Sequence, residues 1–218
     1  MLAAILLGGS LAPKSYAEAK AIGGRANDDM KIALTFDDGP HPKNTPKILD
    51  ILAEYGIKAT FFEVGENIEL YPEVSRRVVA EGHEIGNHTY SHPHLTKIDY
   101  CSLSCEVERC EKVITETTGV TPSFFRPPEG VVDANVRKVA EDEGYSIIVW
   151  TVDTRDWAGT PTDKIVDTVL REISPGDIIL MHDYTSGKCN TIPALRRIIP
   201  ALRDMGYEFV TVGELLCE

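Results

Sequence analysis

The chain has 218 residues, 43% of them hydrophobic, and its Lys+Arg 22 against Asp+Glu 34 give a formal net charge of -12. That length fits one domain with a sizeable core. The acidic surface repels phosphate backbones, which excludes nucleic acid as a partner, and says nothing positive about a substrate.

Leu2 to Ala12 is mostly apolar, and Ser15-Tyr16-Ala17 places small residues at both positions that a signal peptidase inspects. No Lys or Arg precedes this stretch, and it is too short for an ordinary spanning helix. Residues 1–24 are therefore expected to be a signal peptide or N-terminal tail, and 25–218 one domain. The expected location is secreted or cell-wall associated, with no stable membrane span after cleavage.

In chain order, Lys31 to Phe36 is a predicted strand that runs into Asp37-Asp38-Gly39-Pro40. A helix is predicted over Thr45 to Tyr55, with Asn44 or Thr45 as cap, Pro46 in its first turn and Gly56 as its stop. Strand Ala59 to Val64, helix Pro72 to Glu81 and a short strand Glu84 to Gly86 follow, leading into a His-rich segment. A long helix covers Asp99 to Thr117, and Phe124 to Arg126 ends another strand. Then come helix Ala134 to Glu143, strand Tyr145 to Val152 and helix Thr162 to Ile173. Strand Asp177 to Met181, helix Ile192 to Met205 and strand Tyr207 to Val210 complete the chain. With no low-complexity linker from Lys31 to Leu216, this βαβα rhythm predicts a parallel sheet wrapped by helices, a closed or nearly closed α/β barrel.

The five cysteines decide little. Neither Cys-x-x-Cys nor a paired knuckle occurs, so no structural zinc site and no catalytic cysteine are expected. An odd count leaves at least one thiol without an intrachain partner.

Polar clusters follow the strands: Asp37-Asp38, then His88 and His92, Arg126, Asp153 with Asp156, and His182-Asp183. In parallel α/β barrels the loops at the carboxyl ends of strands converge on one mouth. Five such clusters are therefore expected to face one another. His88 and His92 are four apart, so one helical turn ended by Pro93 would align their imidazoles. Two His with one carboxylate leave a position open on a hydrolytic metal. The spacing alone equally suits two capping or core histidines. Adjacent acids at a strand end point to different sides, so one of Asp37 and Asp38 can ligate a metal while its neighbour stays free as a base. Asp38-Gly39-Pro40 also reads as a simple turn.

Thr35-Phe36-Asp37-Asp38-Gly39-Pro40 and His88-Thr89-Tyr90-Ser91-His92 resemble the first two motifs of the polysaccharide deacetylase family, also called the NodB-homology domain or carbohydrate esterase family 4. Arg126-Pro127-Pro128-Glu129-Gly130, Asp153-Thr154-Arg155-Asp156-Trp157 and Leu180-Met181-His182-Asp183 resemble the remaining three, in order. The resemblance spans Lys31 to Leu216 and implies a single-domain, distorted (β/α)7 barrel. It implies a metal-dependent hydrolase that takes N-acetyl groups from amino-sugar polymers such as peptidoglycan or chitin-like oligosaccharides. Asp37 matches the catalytic base, Arg126 the residue that holds it, His182 the general acid and Asp156 the carboxylate that orients that acid. Asp38, His88 and His92 match the ligands of a divalent metal, zinc by default, with Co2+, Ni2+ and Fe2+ suiting the same donors. Leu180 and Trp157 match the wall of the acetyl pocket.

One position departs from the pattern: Glu129 stands where the family often carries Tyr, and a carboxylate there bears on which sugars bind. His41, His83 and His94 carry no ligand role in this reading. Four rivals remain at this level. A two-His-one-carboxylate site also suits non-haem iron oxygenases, two carboxylates suit a retaining glycosidase, and a barrel with a dead site would only bind carbohydrate. A metal-dependent amidohydrolase on a non-sugar amide is a fourth.

Overall fold

The computed structural model describes residues 21–24, 29–185, 187 and 189–217. The signal-peptide reading of residues 1–20 lies outside them. The strands are β1 (Lys31–Asp37), β2 (Thr60–Glu63), β3 (Glu84–Asn87), β4 (Phe124–Phe125), β5 (Ser146–Ile147), β6 (Val152–Asp153), β7 (Ile178–His182) and β8 (Glu208–Val210). The helices are α1 (Asn44–Tyr55), α2 (Gly65–Leu70), α3 (Pro72–Ala80), α4 (Tyr100–Thr118), α5 (Ala134–Glu143), α6 (Thr162–Glu172), α7 (Thr191–Asp204) and α8 (Val212–Leu216). Among the described residues no helix is long and apolar enough to cross a membrane.

The strands run parallel in the order β5-β4-β3-β2-β1-β7-β6, with β8 beside the start of β1, as the distorted (β/α)7 barrel requires. The run predicted as one strand, Tyr145 to Val152, is split. Its first part pairs with β4 and its last with β7, so residues 148–151 join the two edges of the curled sheet. Residues 21–24, read above as tail, lie against this break. Ile22 pairs with Ile148 and Gly24 with Asp177. Barrel contacts therefore begin ahead of the expected boundary at 25, because the edge backbone groups there need partners. Gly24 is obligatory at this seam, since a Cβ would lie 2.7 Å from the Gly176 carbonyl oxygen.

Strand alternation explains where the core sits. Ile32, Leu34 and Phe36 of β1 point outward into the main core with Ile48, Leu52, Ile198 and Leu202 of the flanking helices. Phe36 stacks on Phe61 at 5.0 Å, and truncating a buried aromatic of this kind to alanine typically costs about 3–5 kcal/mol. The alternate residues Ala33, Thr35 and Asp37 face inward. Ala33 packs with Phe62 and Ile178 at the base, so the inner row of β1 turns polar toward its carboxyl end.

Two short helices escaped the sequence reading. The first, α2, ties two motifs together: Asn67 Nδ2 donates to the Asp38 carbonyl at 2.8 Å. The Gly65 and Glu66 N–H groups donate to the carbonyls of Thr89 and Tyr90. The second, α8, opens on a capping box between Thr211 and Glu214, a signature visible in the sequence but followed by only one turn. The start of α1 also differs from expectation. Neither Asn44 nor Thr45 caps it; instead the His41 imidazole Nδ1 accepts the N–H groups of Lys43 and Asn44 at 3.1 Å.

Candidate active site

Asp38, His88 and His92 converge above the carboxyl ends of β1 and β3. Asp38 Oδ1 lies 3.3 Å from His88 Nε2 and 3.3 Å from His92 Nε2. The three ligand atoms all fall within 4.8 Å of one another. Donors bound tetrahedrally to one cation at ~2.0–2.1 Å sit roughly 3.3 Å apart, so this spacing fits a divalent ion. His88 Nδ1 donates to the Arg126 carbonyl at 2.6 Å, which fixes the tautomer and leaves Nε2 as a lone-pair donor. An anion at the centre of two imidazoles is what a cation site needs.

The His88–His92 segment is not the helical turn that its spacing suggested. Thr89 and His92 have φ values of 68° and 53°, and the chain doubles back through left-handed conformations. Asn87 Oδ1 accepts the Thr89 N–H, and Thr89 Oγ1 the His92 N–H. Side-chain bonds inside the loop, rather than helical periodicity, bring the rings to 5.1 Å. Asp38 likewise has φ 74°, which turns its carboxylate away from strand alternation and into the site.

Asp37 stays within the strand and faces inward. Its Oδ1 accepts from Arg126 Nη1 at 2.6 Å, and its Oδ2 lies 3.8 Å from His88 Nε2. Arg126 is fully buried, and every arm of its guanidinium is engaged. Nη1 also reaches Thr35 Oγ1 at 2.7 Å, Nε the Ile148 carbonyl at 3.3 Å and Nη2 the Val149 carbonyl at 3.1 Å. Those two carbonyls lie in the split between β5 and β6. The same residue thus closes the barrel seam and clamps Asp37.

On the opposite side, His182 at the end of β7 gives its Nδ1–H to Asp156 Oδ1 at 2.8 Å. Asp156 also receives the N–H groups of His182 and Trp157, and the Thr191 hydroxyl at 2.6 Å. Burial disfavours the imidazolium of His182, but the hydrogen bond and charge of Asp156 prevail, and its pKa stands at about 9.

These groups line one pocket of about 500 Å³, bounded by Asp37, Asp38, His88, His92, Glu129, Trp150, Asp153, Trp157, Leu180 and His182. Leu180 is buried, whereas Trp157 is 52% exposed at the mouth. One expectation needs correcting. Asp183, expected to face the mouth, is buried and points outward by strand alternation, accepting from Thr45 Oγ1 of α1 at 2.5 Å. His83 stands away from the pocket, accepting the Ala59 N–H at 3.2 Å; burial drives its pKa down to about 4. The sequence reading missed Trp150, Asn67 and Thr191 as parts of the site. Trp150 had a signal, lying two residues before Val152 in a predicted strand; Thr191 had none, being 35 residues from the carboxylate it serves.

Set beside known proteins, residues 24–148 match the profile of the polysaccharide deacetylase family. The chain belongs to that family. It is 42% identical over 210 residues to a peptidoglycan-N-acetylglucosamine deacetylase of Bacillus cereus, covering 95% of this chain and 76% of the relative. It is 37% identical to a chitooligosaccharide deacetylase of a Bradyrhizobium species, covering 88% and 93%. A solved peptidoglycan N-acetylglucosamine deacetylase bound to 4-naphthalen-1-yl-N-oxidanyl-benzamide superposes with a TM-score of 0.87 at 40% identity, covering 94% and 96%. A pseudoenzyme of the same family from Bacillus anthracis superposes with a TM-score of 0.86 at 31% identity, covering 92% and 70%. An active and an inactive relative thus share one fold, so activity has to be argued from the pocket.

Proposed function

We propose that this chain is an exported, metal-dependent hydrolase that removes N-acetyl groups from amino-sugar polymers, peptidoglycan or chitin-like oligosaccharides, releasing acetate. The observation that carries the reading is the meeting, in one pocket, of Asp38 equidistant from two imidazoles with Asp37 on one flank and His182 on the other. The named activities of the relatives support the substrate class. The N-terminal apolar stretch and Ser15-Tyr16-Ala17 support export.

When bound by Asp38, His88 and His92, a divalent cation, zinc by default, supplies Lewis acidity that acidifies water and polarises a carbonyl. The protein's residues do the rest. Asp37, anchored through Oδ1, presents Oδ2 toward the ligand cluster and takes the proton of the attacking water. A backbone N–H in the turn at Glu129 donates to the oxyanion. Leu180 and Trp157 enclose the acetyl methyl. His182, with Nδ1 committed to Asp156, gives a proton from Nε2 to the departing amine.

The direct test is acetate release from chitooligosaccharides and purified peptidoglycan, with and without a chelator. Loss of acetate on chelation and its return with zinc are expected. Undiminished release without metal defeats the proposal, and binding without acetate would mark a dead site.

A pH dependence follows from His182. Its pKa lies above the ordinary imidazole value, so the acid form persists through neutrality and is lost as pH rises through about 9. Asp156→Asn removes the group that raises it, and the basic limb of kcat moves to lower pH. A return to the ordinary value near 6.5 would cut the protonated fraction at pH 8 roughly 30-fold. An unmoved limb in the pH–kcat profile would show that His182 is not the acid.

A further inference from the structure

The pocket carries more negative charge than the reaction uses. Among its lining residues Asp38 belongs to the ligand set and Asp37 is neutralised by Arg126, but Glu129 and Asp153 have no such role. No lysine or arginine lines the pocket among the described residues. Asp153 Oδ1 accepts the Arg155 backbone N–H, at 2.8 Å. Glu129 meets the exposed His94, whose Nδ1 lies 2.8 Å from Oε1.

Glu129 is also held in place. It has φ 58° and ψ 10°, a left-handed conformation that disfavours any residue with a Cβ. Gly130 follows with φ 67°, and a Cβ on it would lie 2.7 Å from the Trp150 ring. The turn is therefore pressed onto Trp150 of the pocket wall. His94 also touches the Glu129 carboxylate at the mouth. Strained backbone of this kind gathers where a side chain must be aimed.

We infer that Glu129 and Asp153 are specificity-determining residues that favour substrates bearing a protonated amine beside the acetamide under attack. The inference rests on the deacetylase reading of the same pocket. Hydrolysis of each acetamide by one water yields acetate and an amine, whose protonated form nearby carboxylates favour. Each turnover thus writes the preferred feature into the polymer. A partly de-N-acetylated chain becomes a better substrate than the fully acetylated one, while sugars carrying carboxylates are disfavoured.

The test compares KM for acetate release from fully N-acetylated chitotetraose and from chitotetraose with one free amine. For two half-exposed carboxylates the wild-type protein should prefer the amine-bearing tetramer about 3- to 10-fold at low salt. That preference should shrink in Glu129→Gln and in Asp153→Asn, and at about 0.5 M salt, where screening acts within a few ångström. Equal KM values in the wild type overturn the inference, as does a preference that survives both substitutions. No acetate from either tetramer, with release from purified peptidoglycan intact, overturns the inference alone; no acetate from any of the three sinks the deacetylase reading with it.

Discussion

Asp37→Asn is expected to lower kcat for acetate release about 10²- to 10⁴-fold, the range a positioned general base supplies, while the protein still binds its metal. The two halves of this expectation come from different atoms. Oδ1 is committed to Arg126 at 2.6 Å, and Oδ2 lies 3.8 Å from His88 Nε2. The ligand cluster of Asp38, His88 and His92 is complete without Asp37. Asparagine keeps the shape and loses the basicity. Metal content by elemental analysis and initial rates on one sample decide it. Full turnover would refute the base assignment, and loss of metal would refute the division between the two adjacent acids.

Arg126→Met is expected to destabilise the fold by about 3–5 kcal/mol, because it strands a buried carboxylate. For a domain of this size that corresponds to a fall in Tm of roughly 6–20 °C. The guanidinium is fully buried, lies over the Phe62 ring at 4.1 Å and serves Asp37, Thr35 and the carbonyls of Ile148 and Val149. Part of the loss is the orphaned charge and part is the open seam. Adding Asp37→Asn to Arg126→Met separates the two, since residues in one ion pair couple and their effects do not sum. Thermal melts of both singles and the double measure the coupling. A Tm change that is negligible, or strictly additive, would show that the pair is not what holds this corner of the barrel.

Much of this architecture was legible in the residue order. The alternation of Ile32, Leu34 and Phe36 with Ala33, Thr35 and Asp37 specified both the strand and its faces. Asp37 belongs to the inner row by that pattern. Gly56 marked the end of α1, adopting the left-handed conformation that glycine tolerates. The polar clusters after successive strands pointed to one mouth, because parallel strands send all their carboxyl ends the same way.

Other features were opaque for a common reason. Asp38, Thr89 and His92 adopt positive φ without being glycine, so no periodicity forecast how their side chains turn. The His88–His92 pair met through a loop folded on its own side chains, not through a helical turn. The same alternation that aimed His182 inward sent Asp183 to Thr45 of α1, so two neighbours read as one cluster parted.

Composition, strand alternation and glycine placement are properties of neighbouring residues, and they carried the barrel, its single domain and the identity of the polar groups at its mouth. The partners of those groups are not neighbours. Arg126 reaches Asp37 across 89 positions, and Asp156 meets His182 across 26 and Thr191 across 35. Such pairs arise only when the curled sheet brings separate strand ends within a few ångström. The clamp on Asp37 and the raised pKa of His182 therefore belong to the folded chain, where burial and fixed distance, rather than residue type, set the strength of each charge.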